Sequence, residues 1–254
     1  MDNSRELVSI IMPAYNAEKT LSQAVTSALQ QTYKNFELLI IDDCSTDSTA
    51  ALAKDFCARD SRVRLLSNPC NSGASQTRHN GAAQAQGQWL AFLDSDDLWA
   101  PDKLEKQMAL LAAGDVDLIF TGSAFINNQG QPKDWTLHVP HTISYRRLLQ
   151  QNLISNSSVL VRKEEYLKCE CLCDGLHEDY VCWLRMLRNG ARARGIDEPL
   201  LIYRLSAGSK SGNKLKAAKM NWRAYRAAGV SVPTAACSMV FYTVRSLIKY
   251  RHLK

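Results

Sequence analysis

The sequence lacks the long apolar segment of a membrane-spanning helix, because none of its apolar runs reaches about 18 residues. Its first six residues lack the basic start and following apolar stretch of a signal peptide, so we expect a cytosolic protein without a leader. The eight cysteines are not spaced like the disulfide framework of a small secreted chain. Cys169, Cys171 and Cys173 alternate, but this is not the usual zinc spacing, and we expect reduced thiols in a loop.

Two glycine-rich nucleotide motifs are also missing. No Gly-x-Gly-x-x-Gly follows the first predicted strand, and no Gly-Lys-Ser or Gly-Lys-Thr completes a phosphate-binding loop. Nicotinamide-dependent enzymes and P-loop ATPases therefore lose their main support. If the protein binds a nucleotide, we therefore expect side chains and a metal ion to hold it.

Acidic residues are absent from the last part of the chain. Residues 204–254 contain 11 Lys and Arg and no Asp or Glu, whereas the preceding 203 residues contain 20 basic and 25 acidic residues. The basic tail also contains Trp222, Tyr225 and Phe241. Basic residues mixed with aromatics suit an anionic membrane surface or a nucleic acid, and a helix packed on the body is the plainer alternative.

Short apolar runs alternate with helical patterns over the first 120 residues, which predicts a mostly parallel α/β sheet covered by helices on both faces. Strands are expected at residues 7–12, 36–41, 63–66 and 89–93, and helices between them, the first capped by Asn16 and the others near 48–59 and 74–86. Further strands are predicted at 117–121, 157–161 and 200–203, with a turn at 127–130 and a helix at 178–189 that ends at Gly190.

Polar residues follow each of the first four predicted strands, where ligands of open parallel sheets bind. They are Pro-Ala-Tyr-Asn at 13–16, Asp-Asp-Cys-Ser-Thr-Asp at 42–47, Asn-Ser-Gly at 71–73 and Asp-Ser-Asp-Asp at 94–97. Neighbouring carboxylates repel each other, and Mn²⁺ or Mg²⁺, held by one or two carboxylates and substrate phosphates, would relieve this repulsion. Residues 94–97 are therefore a candidate metal site, although a capped turn also explains them.

The order of these motifs, followed by Glu178 and Asp179, resembles the family 2 glycosyltransferases with a GT-A fold, over residues 7–205. In particular it resembles the small bacterial enzymes that add one sugar during O-antigen or capsule assembly. The resemblance implies a Rossmann-like GT-A domain (1–205) with a nucleotide-binding half (1–120) and an acceptor-binding half (121–205). A helical, basic and amphipathic region (206–254) would follow it.

The resemblance also implies an activity. It is the inverting transfer of a hexose from a UDP-sugar to a lipid-diphosphate-linked saccharide, with Mn²⁺ or Mg²⁺ as cofactor. The enzyme would work at the inner face of the plasma membrane, bound through its basic tail, with no nucleic-acid partner. The acceptor hydroxyl would displace the nucleotide at the anomeric carbon in one step, while one base takes its proton. A single displacement inverts the configuration, so an α-linked donor would give a β-linked product.

The resemblance assigns a role to each matching residue. Asp179 would be the general base and Asp96 the metal ligand, while Glu178 and Trp183 would contact the acceptor. The residues expected to bind the nucleotide-sugar are Pro13, Tyr15, Asn16, Asp42, Asp43, Arg78, Asp94 and Ser95. Among these, Asp43 would accept a hydrogen bond from uracil, Arg78 would approach the base or the phosphates, and Asp94 the ribose or the sugar.

Some features depart from the family or have a second explanation. The chain lacks the Gln-x-x-Arg-Trp of processive synthases, which indicates a single transfer. Cys44 replaces the commoner glycine, at little cost if the turn needs no positive φ. Glu178 and Asp179 are also explained as first-turn helix acids. Tyr203, Arg204 and residues 206–214 are expected to form a flexible basic loop that closes over the diphosphate or stays solvated.

Two other functions stay open on the residues alone. A sugar nucleotidyltransferase would usually carry a glycine-rich first loop with Lys or Arg, which Pro-Ala-Tyr-Asn at 13–16 is not. A non-enzymatic, basic-tailed nucleic-acid-binding protein would leave the carboxylates at the strand ends unexplained.

Overall fold

The computed structural model describes residues 6–169, 176–205 and 214–249. The strands of these ranges are β1 (Val8–Ala14), β2 (Phe36–Asp42), β3 (Val63–Ser67), β4 (Trp89–Phe92), β5 (Leu98–Trp99), β6 (Leu118–Ile126), β7 (Pro132–Leu137), β8 (Thr142–Ile143), β9 (Leu160–Arg162) and β10 (Ala193–Arg204). The helices are α1 (Leu21–Leu29), α2 (Thr49–Arg59), α3 (Gly73–Gln84), α4 (Lys103–Ala112), α5 (Tyr145–Gln150), α6 (Lys163–Lys168), α7 (Glu178–Arg188), α8 (Lys214–Ala227) and α9 (Val232–Lys249).

These strands form one sheet in the order β3-β2-β1-β4-β9-β6-β10-β5, with β7 added to β6 and β8 to β10. The four strands β3, β2, β1 and β4 run parallel, as do β6 and β10. Between these groups, β9 is antiparallel to both β4 and β6. The parallel half brings the carboxyl ends of its four strands to one edge of the sheet, which is the edge where a ligand binds.

Helices cover both faces of the sheet, as predicted. On one face, Ile10 of β1 belongs to an apolar cluster with Val25 of α1 and Leu104 of α4. On the other face, the neighbouring Ile11 belongs to a second cluster with Ala82 of α3 and Leu184 of α7. Successive strand residues point to opposite faces, so both faces of β1 are buried, and all of its residues except Ser9 are apolar.

Two predicted local features are wrong. Asn16 does not cap α1, whose N-cap is Thr20. Instead Asn16 has a φ of 48°, and its side-chain oxygen accepts a hydrogen bond from the Thr46 backbone at 2.9 Å. The strand predicted at 157–161 begins only at Leu160, because Asn156–Ser158 form a 3-10 turn. The turn at 127–130 and the end of α7 before Gly190, which has a φ of 98°, are confirmed.

Cys44 lies in the left-handed region, with a φ of 64°. The condition under which cysteine would cost little here, a turn without positive φ, is therefore not met. The left-handed conformation brings Cβ close to the following carbonyl oxygen, which costs roughly 1–2 kcal/mol for a residue other than glycine. Glycine would adopt the same conformation without this cost.

We expect Cys44→Val to have a free energy of unfolding at least about 1–2 kcal/mol below that of Cys44→Gly, because a β-branched residue tolerates positive φ least. Cys44 is exposed, so little buried area changes with the substitution. Cys44→Gly is the matched control and should not destabilise the protein. Urea denaturation of the three proteins measures the difference, and equal midpoints for the valine and glycine variants would contradict the strain.

The basic tail packs on the body through α8. The Tyr225 hydroxyl donates to the Leu149 carbonyl at 2.6 Å, and Arg185 of α7 donates to the Ala227 carbonyl at 2.9 Å. Along α9, in contrast, Val240 and Phe241 are exposed. Among the described residues, none of the helices combines the length and the apolar character of a membrane span. Cys171, Cys173 and residues 206–213 of the loop predicted at 206–214 lie outside the described residues, whereas Lys214 begins α8.

Candidate active site

The carboxyl ends of the parallel strands meet as predicted. Ala14 at the end of β1 pairs with Asp42 at the end of β2, and its carbonyl accepts from the Asp43 N–H at 2.8 Å. The Asn68 N–H after β3 donates to the Asp42 carbonyl at 2.9 Å. On the other side of β1, Leu93 after β4 donates to the Ile11 carbonyl at 3.1 Å. The polar segments after all four strands therefore surround one crevice.

Asp43 is held at the N-terminus of α3. Its buried carboxylate accepts from the backbone N–H groups of Ser72 and Gly73, at 2.8 and 2.9 Å, and from the Asn68 side chain at 2.8 Å. The helix dipole favours this negative charge. A carboxylate has about four acceptor positions, so roughly one is left for a ligand such as uracil. Asn68 was not predicted as part of the site.

The other residues predicted to contact the nucleotide lie around Asp43. Pro13 is buried within β1, whereas the Tyr15 side chain just beyond it is 50% exposed. This exposure does not fit a simple packed aromatic and leaves the ring accessible. Asp42 is buried, and its Oδ1 atom has no hydrogen-bond partner among the described residues. Asn16 is exposed and shapes the loop between β1 and α1.

Arg78 joins the two halves of the site. Its guanidinium donates to Asp94 after β4 and to Glu178 at the start of α7, both at 2.6 Å. Burial opposes the charge of Arg78, but Asp94 and Glu178 outweigh it and raise the pKa of the guanidinium. One turn further along α3, Gly81 allows a close approach to the sheet, since a Cβ there would lie 2.6 Å from Ile41 Cδ1. Both of these Arg78 contacts are therefore with carboxylates, whereas a contact with the base or the phosphates was predicted.

Ser157 forms two hydrogen bonds with the turn at residues 94–97, which we call the acidic turn. The Ser157 hydroxyl accepts from the Asp94 N–H at 3.1 Å and donates to Asp97 Oδ2 at 2.7 Å. Asp97 is fully buried, and burial together with Asp96 and Asp94 raises its pKa well above the usual range. Asp97 therefore faces the protein and holds the turn, while Asp96 remains for a ligand and Asp94 is already paired with Arg78 through Oδ1. Ser95, between them, is half-buried.

Arg204 corrects the prediction of a flexible basic loop. It is the last residue of β10 and is buried. Its backbone N–H donates to Asp97 Oδ1 at 3.0 Å, and its Nε donates to the Asp96 carbonyl at 2.9 Å. A second guanidinium nitrogen donates to Gln23 at 2.7 Å. Arg204 therefore supports the acidic turn and does not close over it.

Asp96 fits a cation ligand. Burial and the neighbouring Asp94 raise the pKa of its carboxyl to about 6. No other side chain donates a hydrogen bond to this carboxylate in the described ranges, so its oxygens remain available. Groups of three or more His, Cys, Asp or Glu around one point are absent from those ranges as well. A divalent cation here would therefore complete its coordination with phosphate oxygens, as Mg²⁺ commonly does.

Asp179 lies at the start of α7, close to the pair formed by Arg78 and Glu178. Burial and the Glu178 charge raise the pKa of the Asp179 carboxyl to about 7, against the opposing effect of Arg78. A small cavity of about 10 Å³ is lined by Asp179, Arg78, Glu178 and Trp183 among others, and has room for about one water molecule. A carboxyl group with a pKa near neutrality is suited to accept a proton.

Trp183 and Glu178 were predicted to contact the acceptor, and both have protein partners. Trp183 is fully buried and packs against Phe92 and Tyr166, with ring centroids 6.3 and 6.4 Å apart. It therefore forms the wall behind Asp179, where a surface for the acceptor was expected. Glu178 is held by Arg78, which fixes the first turn of α7 beside the acidic turn.

Two named relatives are similar over most of the chain. The sequence is 37% identical over 226 residues to TuaG of Bacillus subtilis (strain 168), whose name places it in teichuronic acid biosynthesis, covering 89% of this chain and 90% of the relative. It is 38% identical over 218 residues to the Escherichia coli protein named UDP-Glc:alpha-D-GlcNAc-diphosphoundecaprenol beta-1,3-glucosyltransferase WfgD, covering 85% and 84%.

Two solved structures share the fold. S. aureus TarS 1–349 in complex with UDP-GlcNAc matches with a TM-score of 0.73 at 18% identity, covering 96% of this chain and 73% of that one. The mannosyltransferase PcManGT from Pyrobaculum calidifontis, in complex with GDP-Man and Mn²⁺, matches with a TM-score of 0.68 at 17% identity, covering 94% and 69%. The predicted GT-A fold is confirmed.

The family model described as Glycosyl transferase family 2 matches residues 9–169. This match contains β1 to β4, the acidic turn and Arg78, and the named relatives extend the similarity to the C-terminal part of the chain. The chain belongs to glycosyl transferase family 2 and is a glycosyltransferase.

Proposed function

We propose that the chain transfers a hexose from a UDP-sugar to a lipid-diphosphate-linked saccharide, with inversion at the anomeric carbon and with a divalent metal. The hydroxyl of the acceptor attacks C1 of the sugar, the bond from C1 to the phosphate oxygen breaks, and UDP leaves with the electron pair. The proton of the hydroxyl passes to the Asp179 carboxylate. A single displacement of this kind converts an α-linked donor into a β-linked product.

The observation that carries this proposal is the convergence of three groups around Arg78. Asp94 comes from the end of β4, Glu178 from the first turn of α7, and Asp179 lies next to Glu178 with a pKa raised to about 7. A proton acceptor thus lies across the buried Arg78 from the acidic turn. Inverting transfer needs this arrangement, because the base and the leaving group work on opposite sides of the reacting carbon.

Asp96, supported by Asp94, would hold Mn²⁺ or Mg²⁺ together with the donor diphosphate. When bound, such an ion stabilises the negative charge that develops on the leaving UDP. The raised pKa of Asp96 and its unengaged carboxylate support this assignment. The presence of Mn²⁺ with GDP-Man in PcManGT, which shares the fold, agrees with it.

The relatives suggest which substrates to test first. WfgD is named for UDP-Glc and an α-D-GlcNAc-diphosphoundecaprenol, and TuaG for teichuronic acid biosynthesis. We therefore propose UDP-glucose as the first donor and an α-D-GlcNAc-diphosphate lipid as the first acceptor, in O-antigen or capsule assembly. Val240 and Phe241, which are exposed on α9 within the basic tail, support peripheral binding at the inner face of the plasma membrane.

Thermal shift and donor hydrolysis test the function directly. A panel of UDP- and GDP-sugars is measured with Mn²⁺ or with EDTA. We expect stabilisation by UDP-sugars that EDTA removes, and slow release of UDP without acceptor. No response to any nucleotide-sugar under either condition would sink the proposed function.

Asp96→Asn should reduce the metal-dependent release of UDP by about 10²-fold or more, because several kcal/mol of charge stabilisation at the leaving group is lost. The stabilisation by UDP and Mn²⁺ together should fall at the same time, whereas the melting temperature without ligands should not. Asp102→Asn, at a surface carboxylate paired with Lys106, is the matched control. Equal hydrolysis by both variants would remove Asp96 as the metal ligand.

A further inference from the structure

One face of α8 carries three cations and a tryptophan. Lys219, Trp222, Arg223 and Arg226 are spaced at i, i+3, i+4 and i+7, which places them on the same side of the helix. Together with Leu176, which precedes α7, they line an open groove of about 590 Å³. The three cations are exposed and Trp222 is half-buried. We call this the α8 groove.

The cations of the α8 groove lack acidic partners within the described ranges. Some surface cations elsewhere are paired, for example Lys168 with Glu164, whereas the exposed Lys19 and Lys54 have no salt bridge among the described residues. Lys219, Arg223 and Arg226 form no salt bridge with any described carboxylate. Uncompensated positive charge in a groove attracts an anion, and the guanidinium fork matches phosphate oxygens in particular.

The α8 groove lies beside the proposed base. Leu176 comes three residues before Asp179, so the two Cα atoms are no more than about 11 Å apart. Contacts between α7 and α8 fix the groove relative to Asp179: Tyr180 meets Tyr225 edge-on at 5.9 Å between centroids, and Arg185 donates to the Ala227 carbonyl. A sugar whose hydroxyl reaches Asp179 can therefore carry an anionic group into the groove.

We propose that the α8 groove binds the diphosphate of the lipid-linked acceptor. This inference rests on the proposed function and adds the residues that recognise the acceptor. The donor diphosphate belongs at the acidic turn, which leaves the α8 cations for a second anionic group. Lys219 and Arg223 bind the acceptor phosphates, with Arg226 at the end of the groove. Trp222 offers an apolar surface for the sugar or the first part of the lipid chain.

Calorimetric binding tests the inference without relying on turnover. The probe is a soluble short-chain alkyl ester of α-D-GlcNAc diphosphate, and the uncharged alkyl glycoside of the same sugar is the comparison ligand. Lys219→Gln/Arg223→Gln should bind the diphosphate probe at least about tenfold more weakly than the unsubstituted protein, since two charge-assisted contacts are lost. UDP binding should be unchanged. Lys54→Gln/Arg59→Gln on α2, which removes two exposed cations far along the sheet, is the matched control.

Equal affinity of the unsubstituted protein and the α8 variant for the diphosphate probe would overturn the inference. So would an α8 variant that loses binding only to vesicles containing phosphatidylglycerol, because the groove would then serve the membrane and not the acceptor. A preference of the unsubstituted protein for the diphosphate probe over the glycoside, abolished in the variant, supports it. If that preference holds but no UDP-sugar supports transfer, the groove stands and the proposed function fails.

Discussion

Asp179→Asn is expected to lower kcat by about 10²- to 10⁴-fold while UDP binding stays intact, because an amide cannot accept the proton of the acceptor hydroxyl. The substitution keeps the size of the side chain and removes only its basicity. Transfer is measured with UDP-glucose and the α-D-GlcNAc-diphosphate probe, and UDP binding by calorimetry. Asp55→Asn, at an exposed carboxylate of α2 paired with Arg59, is the control. Unchanged turnover in Asp179→Asn would remove this residue as the base.

The pH dependence of kcat/KM tests the role of Asp179 as the base in a second, independent way. The groups that act on Asp179 are Glu178, Arg78 and Asp94, and burial with Glu178 raises its pKa to about 7. The base works in its deprotonated form, so kcat/KM of the unsubstituted protein should reach a plateau above pH 7 and fall as the pH drops through about 7. The residual activity of Asp179→Asn should show no such step. A step retained at the same pH would assign the titration to another group.

Arg78→Met should lower the free energy of unfolding by about 3–5 kcal/mol, since removal of one partner from a buried ion pair leaves uncompensated charge. For a chain of this size the loss corresponds to a Tm roughly 6–20 °C lower. Arg78 is 8% exposed, and its partners Asp94 and Glu178 are 30% and 14% exposed. Scanning calorimetry without ligands measures the effect.

A second substitution separates charge from packing in this experiment. Arg78→Met/Glu178→Gln should recover part of the lost stability, because one of the two uncompensated carboxylates is removed. Arg59→Met, in an exposed pair with Asp55, should change stability by no more than about 0.5 kcal/mol. Equal Tm values for Arg78→Met and Arg59→Met would show that the ion pairs of Arg78 contribute little to stability.

The parts of the fold that could be predicted from sequence are those with a local pattern. Strands buried on both faces consist mainly of apolar residues, as in β1 and β2. The spacing of Leu21, Val25 and Ala28 indicates one buried face of a helix, which α1 confirms. The polar segments at the strand ends follow from the same pattern, since each begins where an apolar run stops.

The support of the acidic turn could not be predicted, because it comes from distant parts of the chain. Ser157 is 63 residues beyond Asp94, and Arg204 is 107 residues beyond Asp97. A single serine or arginine has no periodicity that would identify its partner. The conformation of Cys44 escapes sequence reasoning for another reason: tertiary contacts impose a positive φ that cysteine itself disfavours.

The bridge made by Arg78 constrains how this sequence can change over time. Its two carboxylate partners come from positions 16 and 100 residues away in the chain, yet all three charges share one buried place. Loss of Arg78 would leave two carboxylates without a counter-charge. Loss of Asp94 or Glu178 would leave the charge of Arg78 less well compensated. Substitutions at Arg78, Asp94 and Glu178 should therefore occur together among related proteins, so that covariation would link these three positions more tightly than neighbours on the same strand or helix.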